Sequence, residues 1–254
     1  MDAITQYTEL MDQERAENDI RHAKADARAP LPFLPVDHRD KMLWDQLVGP
    51  LAGKQVLDVG CGDGLKTVWL ASQDAMVFAV DVSPVGVAKT LERARFHGLQ
   101  ERVRAYCADA CQLDTMMTPN SIDIALGFGV LHHLPPREFG QSLKAVLKPG
   151  GHAVFFENSN ANPLYQLARR IRNDETAAGT PLTGEEAQML IREVGTGAQI
   201  FPRFCLFGLV KKYVFRNSRL FAWLLDILDD AIDAVPGARQ WSAYMWVEVH
   251  KPVE

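Results

Sequence analysis

An apolar run enters a glycine-rich turn at Val56-Leu57-Asp58-Val59-Gly60-Cys61-Gly62-Asp63-Gly64. The run is short and almost continuously apolar, which predicts a strand buried on both faces, and a helical pattern follows the turn. The three glycines tolerate positive φ and let the backbone approach a ligand without Cβ atoms in the way. Their G-x-G-x-G spacing differs from the G-x-G-x-x-G of dinucleotide-binding proteins. A tight turn without a ligand is the alternative interpretation.

Four more apolar runs follow the first at regular intervals, and helical patterns separate most of them. The runs are Val56–Val59, Met76–Val80, Val103–Cys107, Ile122–Leu126 and Ala153–Phe156. Ser83-Pro84 caps the clearest helix, which ends at Gly98. A second helix precedes a predicted turn at Lys148-Pro149-Gly150-Gly151, and Thr183 with Glu186 forms a capping box for a third. This alternation predicts an α/β fold with a doubly wound parallel sheet.

Acidic residues stand at the ends of the second and third predicted strands. Asp81 follows Ala79-Val80 and suits both hydroxyls of a ribose. Asp109 follows Cys107-Ala108 and suits an exocyclic amino group of a base. Taken alone, each acid has a simpler interpretation as a helix cap or an exposed loop residue. Both follow the glycine turn in order, which favours a nucleoside-binding edge of the sheet.

As a set, VLDVGCGDG, AVDVS, CADA, SIDIALGFGVLHHLP and LKPGG resemble the class I methyltransferases, in particular their small-molecule group. The resemblance covers roughly residues 54 to 157. It implies S-adenosylmethionine as cofactor, with S-adenosylhomocysteine as product. It also implies a Rossmann-like seven-stranded sheet in the order 3-2-1-4-5-7-6, with an antiparallel last strand.

The same resemblance assigns cofactor contacts to the strand ends. Asp58 and the turn from Gly60 to Gly62 are expected near the methionine moiety, Asp81 at the ribose, and Asp109 with Ala110 at the adenine. The full expected set is Asp58, Gly60, Cys61, Gly62, Gly64, Asp81, Val82, Asp109, Ala110, Gly127 and Phe128.

Two adjacent histidines, His132 and His133, follow the fourth strand and are the catalytic candidates. A histidine pKa lies near the working pH, so either suits the role of general base for a hydroxyl acceptor. Capping of the next helix is the simpler alternative. A metal site between the ends of the fourth and fifth strands would need an acidic residue on each. Glu157-Asn158 follows the fifth strand, but no acidic residue follows the fourth strand after Leu126. We therefore predict no metal site.

The acceptor is expected to be a small molecule. Asn/Asp-Pro-Pro-Tyr, typical of enzymes that methylate amide or nucleobase nitrogens, is absent from the sequence. Oxygen is favoured over nitrogen and carbon, on a natural product, a sugar or a lipid-linked intermediate. The alternatives are methylation of RNA or protein, a non-catalytic cofactor-binding relative, and an NAD-dependent oxidoreductase. The oxidoreductase is disfavoured by the glycine spacing and by the lack of a Tyr-x-x-x-Lys pair.

Composition bounds the partners and the compartment. The net charge of −5 disfavours DNA as a partner. The four cysteines, Cys61, Cys107, Cys111 and Cys205, form no CxxC pair and are expected to be reduced thiols. The N-terminus is polar and acidic, which argues against a secretory signal peptide. These features predict a cytoplasmic protein.

A single domain with four parts is predicted. Residues 1–50 form an N-terminal helical cap, with helices over residues 3–28 and 38–48, and residues 54–157 form the cofactor-binding core. Residues 158–240 form substrate-side inserts and helices, and residues 241–254 hold the final strand. Three arginines at 169, 170 and 172 suit an anionic acceptor or a solvated helix face.

The block Phe204–Val235 is rich in large apolar residues but is interrupted by charge. No run in it reaches the roughly 18 to 20 apolar residues that a membrane span needs. It is expected to form a lid over an apolar acceptor or the surface of a homodimer. A peripheral membrane contact and plain packing are the alternatives.

Overall fold

The computed structural model describes residues 3–31, 40–159, 181–203, 219–235, 237, 242 and 244–253. The strands are β1 (Gln55–Val59), β2 (Met76–Asp81), β3 (Val103–Cys107), β4 (Ile122–Phe128), β5 (Leu147–Asn158), β6 (Thr196–Arg203) and β7 (Tyr244–His250). The helices are α1 (Ala3–Ala23), α2 (Lys41–Leu47), α3 (Leu65–Ser72), α4 (Pro84–Phe96), α5 (Leu113–Met116), α6 (Pro136–Val146), α7 (Gly184–Val194) and α8 (Arg219–Asp233).

The seven strands form one sheet in the order β3-β2-β1-β4-β5-β7-β6, as expected. The first five strands pair in parallel, and β7 runs antiparallel to both β5 and β6. The register pairs Val59 with Val80 and with Gly127. The carboxyl ends of β1, β2 and β4 therefore meet at one edge, where parallel α/β sheets bind ligands.

Apolar side chains cover both faces of the sheet, because consecutive residues of a strand point to opposite faces. On β1, Leu57 packs into one cluster with Phe139 and Phe155. Its neighbour Val56 packs into the other cluster, with Trp69. All five of these residues are buried. Burial on both faces explains why the parallel strands read as continuous apolar runs.

Helix caps follow the sequence prediction. The Ser83 hydroxyl accepts a hydrogen bond from the Gly86 amide at 2.9 Å, and Pro84 is the first residue of α4. The Thr183 hydroxyl accepts from the Glu186 amide at 3.2 Å, and the Glu186 carboxylate accepts from the Thr183 amide at 2.8 Å. These side chains occupy backbone groups that the first helical turn leaves unpaired.

The boundaries of β5 and α1 differ from the prediction. Residues 148–151 were predicted as a turn but lie inside β5, where Leu147 pairs with Ile122 and the register shifts before Ile124. Gly150, at φ +75°, lets the strand bend there. α1 ends at Ala23, five residues before the predicted end. β7 is described from Tyr244, and residue 241, where the final strand was predicted to begin, lies outside the described residues.

α1 lies across the edge of the sheet where β2 ends. Arg15 Nε donates to the Val82 carbonyl at 3.1 Å, and the Ser83 hydroxyl donates to the Asp19 carboxylate. α1 also contacts α4. Polar groups thus attach this helix, which has almost no apolar face of its own.

Of the predicted block Phe204–Val235, residues 219–235 are described, and they hold α8. Its Leu224, Ile227 and Leu228 side chains are exposed. The three arginines at 169, 170 and 172 and residues 204–218 lie outside the described residues. Within the described part of the chain, no helix is long and apolar enough to cross a membrane. The division of the chain into four parts stays a prediction.

Candidate active site

The glycine turn after β1 adopts the backbone that its sequence predicts. Gly60, Gly62 and Gly64 have φ of +71°, +55° and +79°. The amides of Gly60 and Cys61 both donate to the Val80 carbonyl, at 2.8 and 3.1 Å. These bonds fix the turn to the end of β2, so its position relative to Asp81 is set by the sheet.

Glycine is required in this turn for space as well as for φ. A Cβ on Gly60 would lie 2.8 Å from Val130 Cγ2, and one on Gly62 would lie 3.0 Å from the His22 ring. A Cβ on Gly64 would lie 2.5 Å from the Thr90 backbone. Gly64 therefore serves the packing of the turn on α4, and it lies outside the cavity linings described below.

Asp58 is a buried carboxylate one residue before the end of β1. Its side chain accepts a hydrogen bond from the Thr67 hydroxyl at 2.6 Å. Burial raises the pKa of Asp58 to about 6, although Thr67 and the nearby Lys66 ammonium act to lower it. The Lys66 ammonium stands 4.1 Å from the centre of the Phe128 ring, and burial lowers its pKa.

Asp81 fastens the turn as well as facing the site. One carboxylate oxygen accepts from the Gly62 amide at 2.8 Å, and the other accepts from the Ser83 amide at 2.8 Å. Only 8% of the residue is exposed. The carboxylate therefore holds both the glycine turn and the start of α4 while presenting its remaining lone pairs to the cavity.

Asp109 caps a short helical turn after β3. Its carboxylate accepts from the Cys111 amide at 2.8 Å. Its neighbours Ala108 and Ala110 line the cavity at the strand ends, whereas Asp109 is not part of that lining. The predicted adenine contact through Asp109 thus stays a prediction.

Three cavities meet at the carboxyl edge of the sheet. The strand-end cavity, of about 100 Å³, is lined by Met11, Glu14, Asn18, Arg21, His22, Gly60, Gly62, Val80, Asp81, Val82, Ala108, Ala110, Phe128, Gly129, Val130, His133 and Leu134. The turn cavity, of about 310 Å³, is lined by Arg21, His22, Ala25, Asp58, Gly60, Cys61, Gly62, Asp63, Leu65, Lys66 and Phe128. The histidine cavity, of about 230 Å³, is lined by Glu14, Glu17, Asn18, Arg21, Phe128, Gly129, His132, His133 and Asn158.

The cavities bring together most of the expected cofactor residues. Eight of the eleven line the strand-end or turn cavity: Asp58, Gly60, Cys61, Gly62, Asp81, Val82, Ala110 and Phe128. The other three are Gly64, Asp109 and Gly127. A Cβ on Gly127 would lie 2.6 Å from the Phe155 ring, so this glycine permits close packing inside the sheet.

The sequence predicted an N-terminal helical cap but did not indicate which residues of α1 reach the site. Arg21 borders all three cavities, and His22 packs against the glycine turn and borders two of them. Gly86 at the start of α4 allows this approach, because a Cβ there would lie 2.8 Å from the Gly62 carbonyl and 3.1 Å from the His22 ring. A polar helix lacking an apolar stripe carries no local signal of where it docks.

The two histidines after β4 have different partners. His132 Nδ1 lies 2.8 Å from Glu157 Oε2, and both side chains are buried. His133 Nδ1 contacts the Glu14 carboxylate of α1. The two imidazole rings lie 3.9 Å apart, centre to centre. Neither histidine caps α6, whose N-cap position is Pro135.

Metal-ligating residue types do not converge among the described residues. No group of three or more His, Cys, Asp and Glu side chains there is arranged to hold a metal ion. Glu157 is instead committed to the backbone and to the imidazole of the loop after β4.

Comparisons with known proteins agree with this architecture. Residues 56–151 match the family described as "Methyltransferase domain". The ubiquinone biosynthesis O-methyltransferase of Bordetella bronchiseptica is 36% identical over 120 residues, which are 46% of this chain and 48% of that protein. Its namesake from Cronobacter sakazakii is 32% identical over 146 residues, 57% of this chain and 58% of that protein. The chain thus matches about half the length of these curated relatives.

Solved structures share the fold over nearly the whole chain. The cyclase SpnF superposes with a TM-score of 0.60 at 21% identity, covering 95% of this chain and 97% of that one. A geranyl diphosphate C-methyltransferase from Streptomyces coelicolor superposes with a TM-score of 0.59 at 14% identity, covering 95% and 98%. One fold therefore carries different reactions, and the reaction has to be argued from the site. Residues 56–151 match a methyltransferase domain, and the strand order is the one that the resemblance to the class I S-adenosylmethionine-dependent methyltransferases implies.

Proposed function

We propose that this protein transfers the methyl group of S-adenosylmethionine to an oxygen atom of a small-molecule acceptor. The single observation that carries the choice of oxygen is the buried pair of His132 and Glu157, which lies at a cavity adjoining the cofactor residues. A hydroxyl acceptor must lose a proton during methyl transfer, and a histidine held by a carboxylate is suited to take it. The curated relatives are O-methyltransferases by name, which supports the same choice.

The residues present fit the cofactor. Its ammonium and sulfonium groups are cationic, and the buried Asp58 carboxylate borders the turn cavity. The ribose hydroxyls find an acceptor in Asp81, and the methionine carboxylate finds cations in Arg21 and Lys66. The glycine turn provides surface that a Cβ at Gly60 or Gly62 would occupy. When bound, the cofactor supplies an electrophilic methyl group.

His132 would accept the proton in this proposal. The methyl group for the acceptor oxygen would come from the cofactor, which Asp58, Asp81 and the glycine turn would hold. The hydroxyl proton passes to the imidazole and later leaves to solvent. Phe128 borders the strand-end, turn and histidine cavities, so it would lie between the bound cofactor and the acceptor. Alignment of these partners and exclusion of water account for the rate enhancement.

The acceptor proposed here is small and carries a polar group. The described walls of the histidine cavity are mainly polar: Glu14, Glu17, Asn18, Arg21, His132, His133 and Asn158. An apolar or lipid-linked portion of the acceptor, and a homodimer, stay predictions. Both rest on the block Phe204–Val235, of which only residues 219–235 are described. A cytoplasmic location is part of the same proposal, supported by the unbridged thiols of Cys61 and Cys107.

Two measurements test this function. Calorimetric titration should show binding of S-adenosylhomocysteine and no binding of NAD. Incubation with deuterated-methyl S-adenosylmethionine and a panel of matched hydroxyl and amine acceptors should yield labelled ethers, detected by mass spectrometry. Tight NAD binding without a response to S-adenosylhomocysteine contradicts the cofactor. Label found only on nitrogen or carbon contradicts the choice of oxygen.

A further inference from the structure

Glu157 is fully buried near the end of β5, and its two oxygens serve two different purposes. Oε1 accepts hydrogen bonds from the amides of Val130 and Leu131, at 2.6 and 2.8 Å. Oε2 lies 2.8 Å from His132 Nδ1. One carboxylate therefore organises three consecutive residues of the loop after β4, and the cofactor contacts expected from the resemblance do not include it.

We infer that Glu157 is a positioning residue that keeps the proton of His132 on Nδ1, so that Nε2 is the nitrogen that accepts the acceptor's proton. This inference rests on the proposed function. An ionised carboxylate accepts hydrogen bonds and donates none, whereas a neutral imidazole has one donor and one acceptor nitrogen. Pairing Nδ1–H with the carboxylate therefore selects one tautomer and also stabilises the imidazolium formed during transfer.

The two hydrogen bonds from backbone amides to Glu157 fix the position of the His132 imidazole. Val130, held through its amide, places its side chain 2.8 Å from the position that a Cβ on Gly60 would take. The loop that carries His132 is thereby seated directly on the glycine turn. Glu157 thus sets both the tautomer of the base and its distance from the cofactor-binding residues.

His133 cannot replace His132 in this arrangement. Its Nδ1 pairs with Glu14, a residue of α1, and its side chain is 21% exposed, against 4% for His132. The carboxylate of Glu14 belongs to a helix attached by polar contacts, whereas the carboxylate of Glu157 belongs to the central sheet. Of the two histidines after β4, His132 is the one whose orienting group lies on a rigid element.

The test compares Glu157→Gln with Glu157→Asp in the full-length chain. A glutamine can still accept from the two backbone amides through its carbonyl oxygen, but its amide must donate to His132 Nδ1 and so moves the imidazole proton to Nε2. The aspartate keeps the carboxylate. Glu248→Gln is a matched control, because Glu248 Oε1 lies 3.0 Å from His250 Nε2 in a second Glu–His pair on β7, outside the three cavities.

The tautomer is read from ¹⁵N-histidine NMR spectra of the S-adenosylhomocysteine complex, with the His132 signals assigned through His132→Gln. We expect a protonated Nδ1 and an unprotonated Nε2 in the unmodified protein and in Glu248→Gln, and the reverse in Glu157→Gln. In Glu157→Gln, kcat should fall about 10²- to 10⁴-fold. KM and the Kd for S-adenosylhomocysteine should stay within about twofold, and Glu157→Asp should recover part of kcat.

Two results overturn the inference. One is a proton on Nε2 of His132 in the unmodified protein, which decides the matter even if Glu157→Gln does not fold. The other is a folded Glu157→Gln whose kcat is unchanged, or whose cofactor affinity falls as far as its kcat. The NMR measurement uses no acceptor, so it remains informative if no hydroxyl acceptor is methylated. That outcome would count against the proposed function alone.

Discussion

Arg93 of α4 donates hydrogen bonds to both the backbone and the side chain of Asp63 in the glycine turn. Arg93 Nε donates to the Asp63 carbonyl at 3.1 Å, and Nη2 donates to its carboxylate at 3.0 Å. The arginine side chain is 2% exposed, and its Nη1 is buried without a hydrogen-bond partner. The pair with Asp63 is therefore the main compensation for burying this guanidinium, and it braces the turn from α4.

Replacing the two partners should have unequal effects on stability. Arg93→Met exchanges a buried ion for an apolar side chain of similar length, so we expect the free energy of unfolding to fall by at most about 1 kcal/mol. The glycine turn should nevertheless be held less firmly, because both hydrogen bonds to Asp63 are lost. Asp63→Ala leaves the buried charge unpaired and should cost about 3 kcal/mol. Urea denaturation measures both changes.

The affinity for S-adenosylhomocysteine should depend on the buried Arg93–Asp63 pair but not on an exposed ion pair of the same helix. Arg93→Met is expected to weaken S-adenosylhomocysteine binding several-fold, as measured by calorimetry. Lys89→Met is the matched control, because Lys89 lies on the same helix and its ammonium pairs with the exposed Glu92. Equal affinities for the Arg93 and Lys89 variants would show that the Arg93–Asp63 pair does not affect cofactor binding.

The raised pKa of Asp58 makes stability depend on pH. The folded protein binds a proton at Asp58 with a pKa of about 6, against an ordinary value of 3.8. Ionising this buried group therefore lowers the stability of the fold as pH rises from about 4 to about 6, and stability stays lower above that window. Asp58→Asn keeps an acceptor for Thr67 and should be more stable than the unmodified protein at pH 8, by on the order of 2 kcal/mol.

Asp58→Asn should lower the affinity for the cofactor although it raises the stability of the fold. The ionised carboxylate attracts a cationic cofactor, so Asp58→Asn is expected to lose affinity for S-adenosylmethionine at pH 8. Affinity in the unmodified protein should fall as pH decreases below about 6, where Asp58 becomes protonated. If Asp58→Asn is not more stable at pH 8 and keeps full affinity for S-adenosylmethionine, Asp58 neither destabilises the fold nor attracts the cofactor.

Asp81→Ala should weaken cofactor binding and also loosen the glycine turn. The loss of hydrogen bonds to a charged acceptor corresponds to about 1.5 to 3 kcal/mol of binding free energy. Because the carboxylate also accepts from the amides of Gly62 and Ser83, thermal stability should fall as well. A location at a strand end alone would suggest that folding is unaffected. Calorimetry and thermal denaturation test the two effects, and an unchanged Kd in the folded variant would exclude Asp81 from the site.

Releasing α1 from the sheet edge should speed the exchange of cofactor. Arg15→Met removes the bond to the Val82 carbonyl, and we expect faster amide hydrogen exchange in residues 15–23 and a several-fold faster dissociation of S-adenosylhomocysteine. Arg28→Met is the control, because this exposed arginine follows the helix and lines none of the three cavities. Identical dissociation rates in the two variants would show that α1 does not retain the cofactor.

The strand ends could be predicted from sequence because short local patterns specify them. Asp58 lies one residue before the end of its apolar run and Asp81 directly follows the next run, and parallel pairing brings such positions to one edge. Arg21 and His22 gave no comparable signal, since they belong to a polar helix whose docking depends on bonds to Val82 and Ser83, more than 60 residues away.

The loop after β4 shows where sequence reasoning stops. His132 and His133 are adjacent and chemically equivalent in the sequence, so a choice between them depends on which carboxylate each imidazole meets. Glu157 is 25 residues from His132 along the chain, and only the folded loop brings them together. The sequence showed that Glu157 follows the apolar run Ala153–Phe156, but it did not show which residue Glu157 contacts.

The position of α1 has a consequence for the order of events in turnover. Arg21 borders the turn cavity and the histidine cavity alike, while His22 lines only the first of these two and Glu14, Glu17 and Asn18 line only the second. A nucleoside bound beneath this helix would be enclosed before an acceptor could complete the opposite wall. Methylated product should therefore depart first, and the spent cofactor should wait for the helix to lift. Steady-state kinetics should then follow an ordered scheme in which S-adenosylhomocysteine competes with S-adenosylmethionine and not with the acceptor.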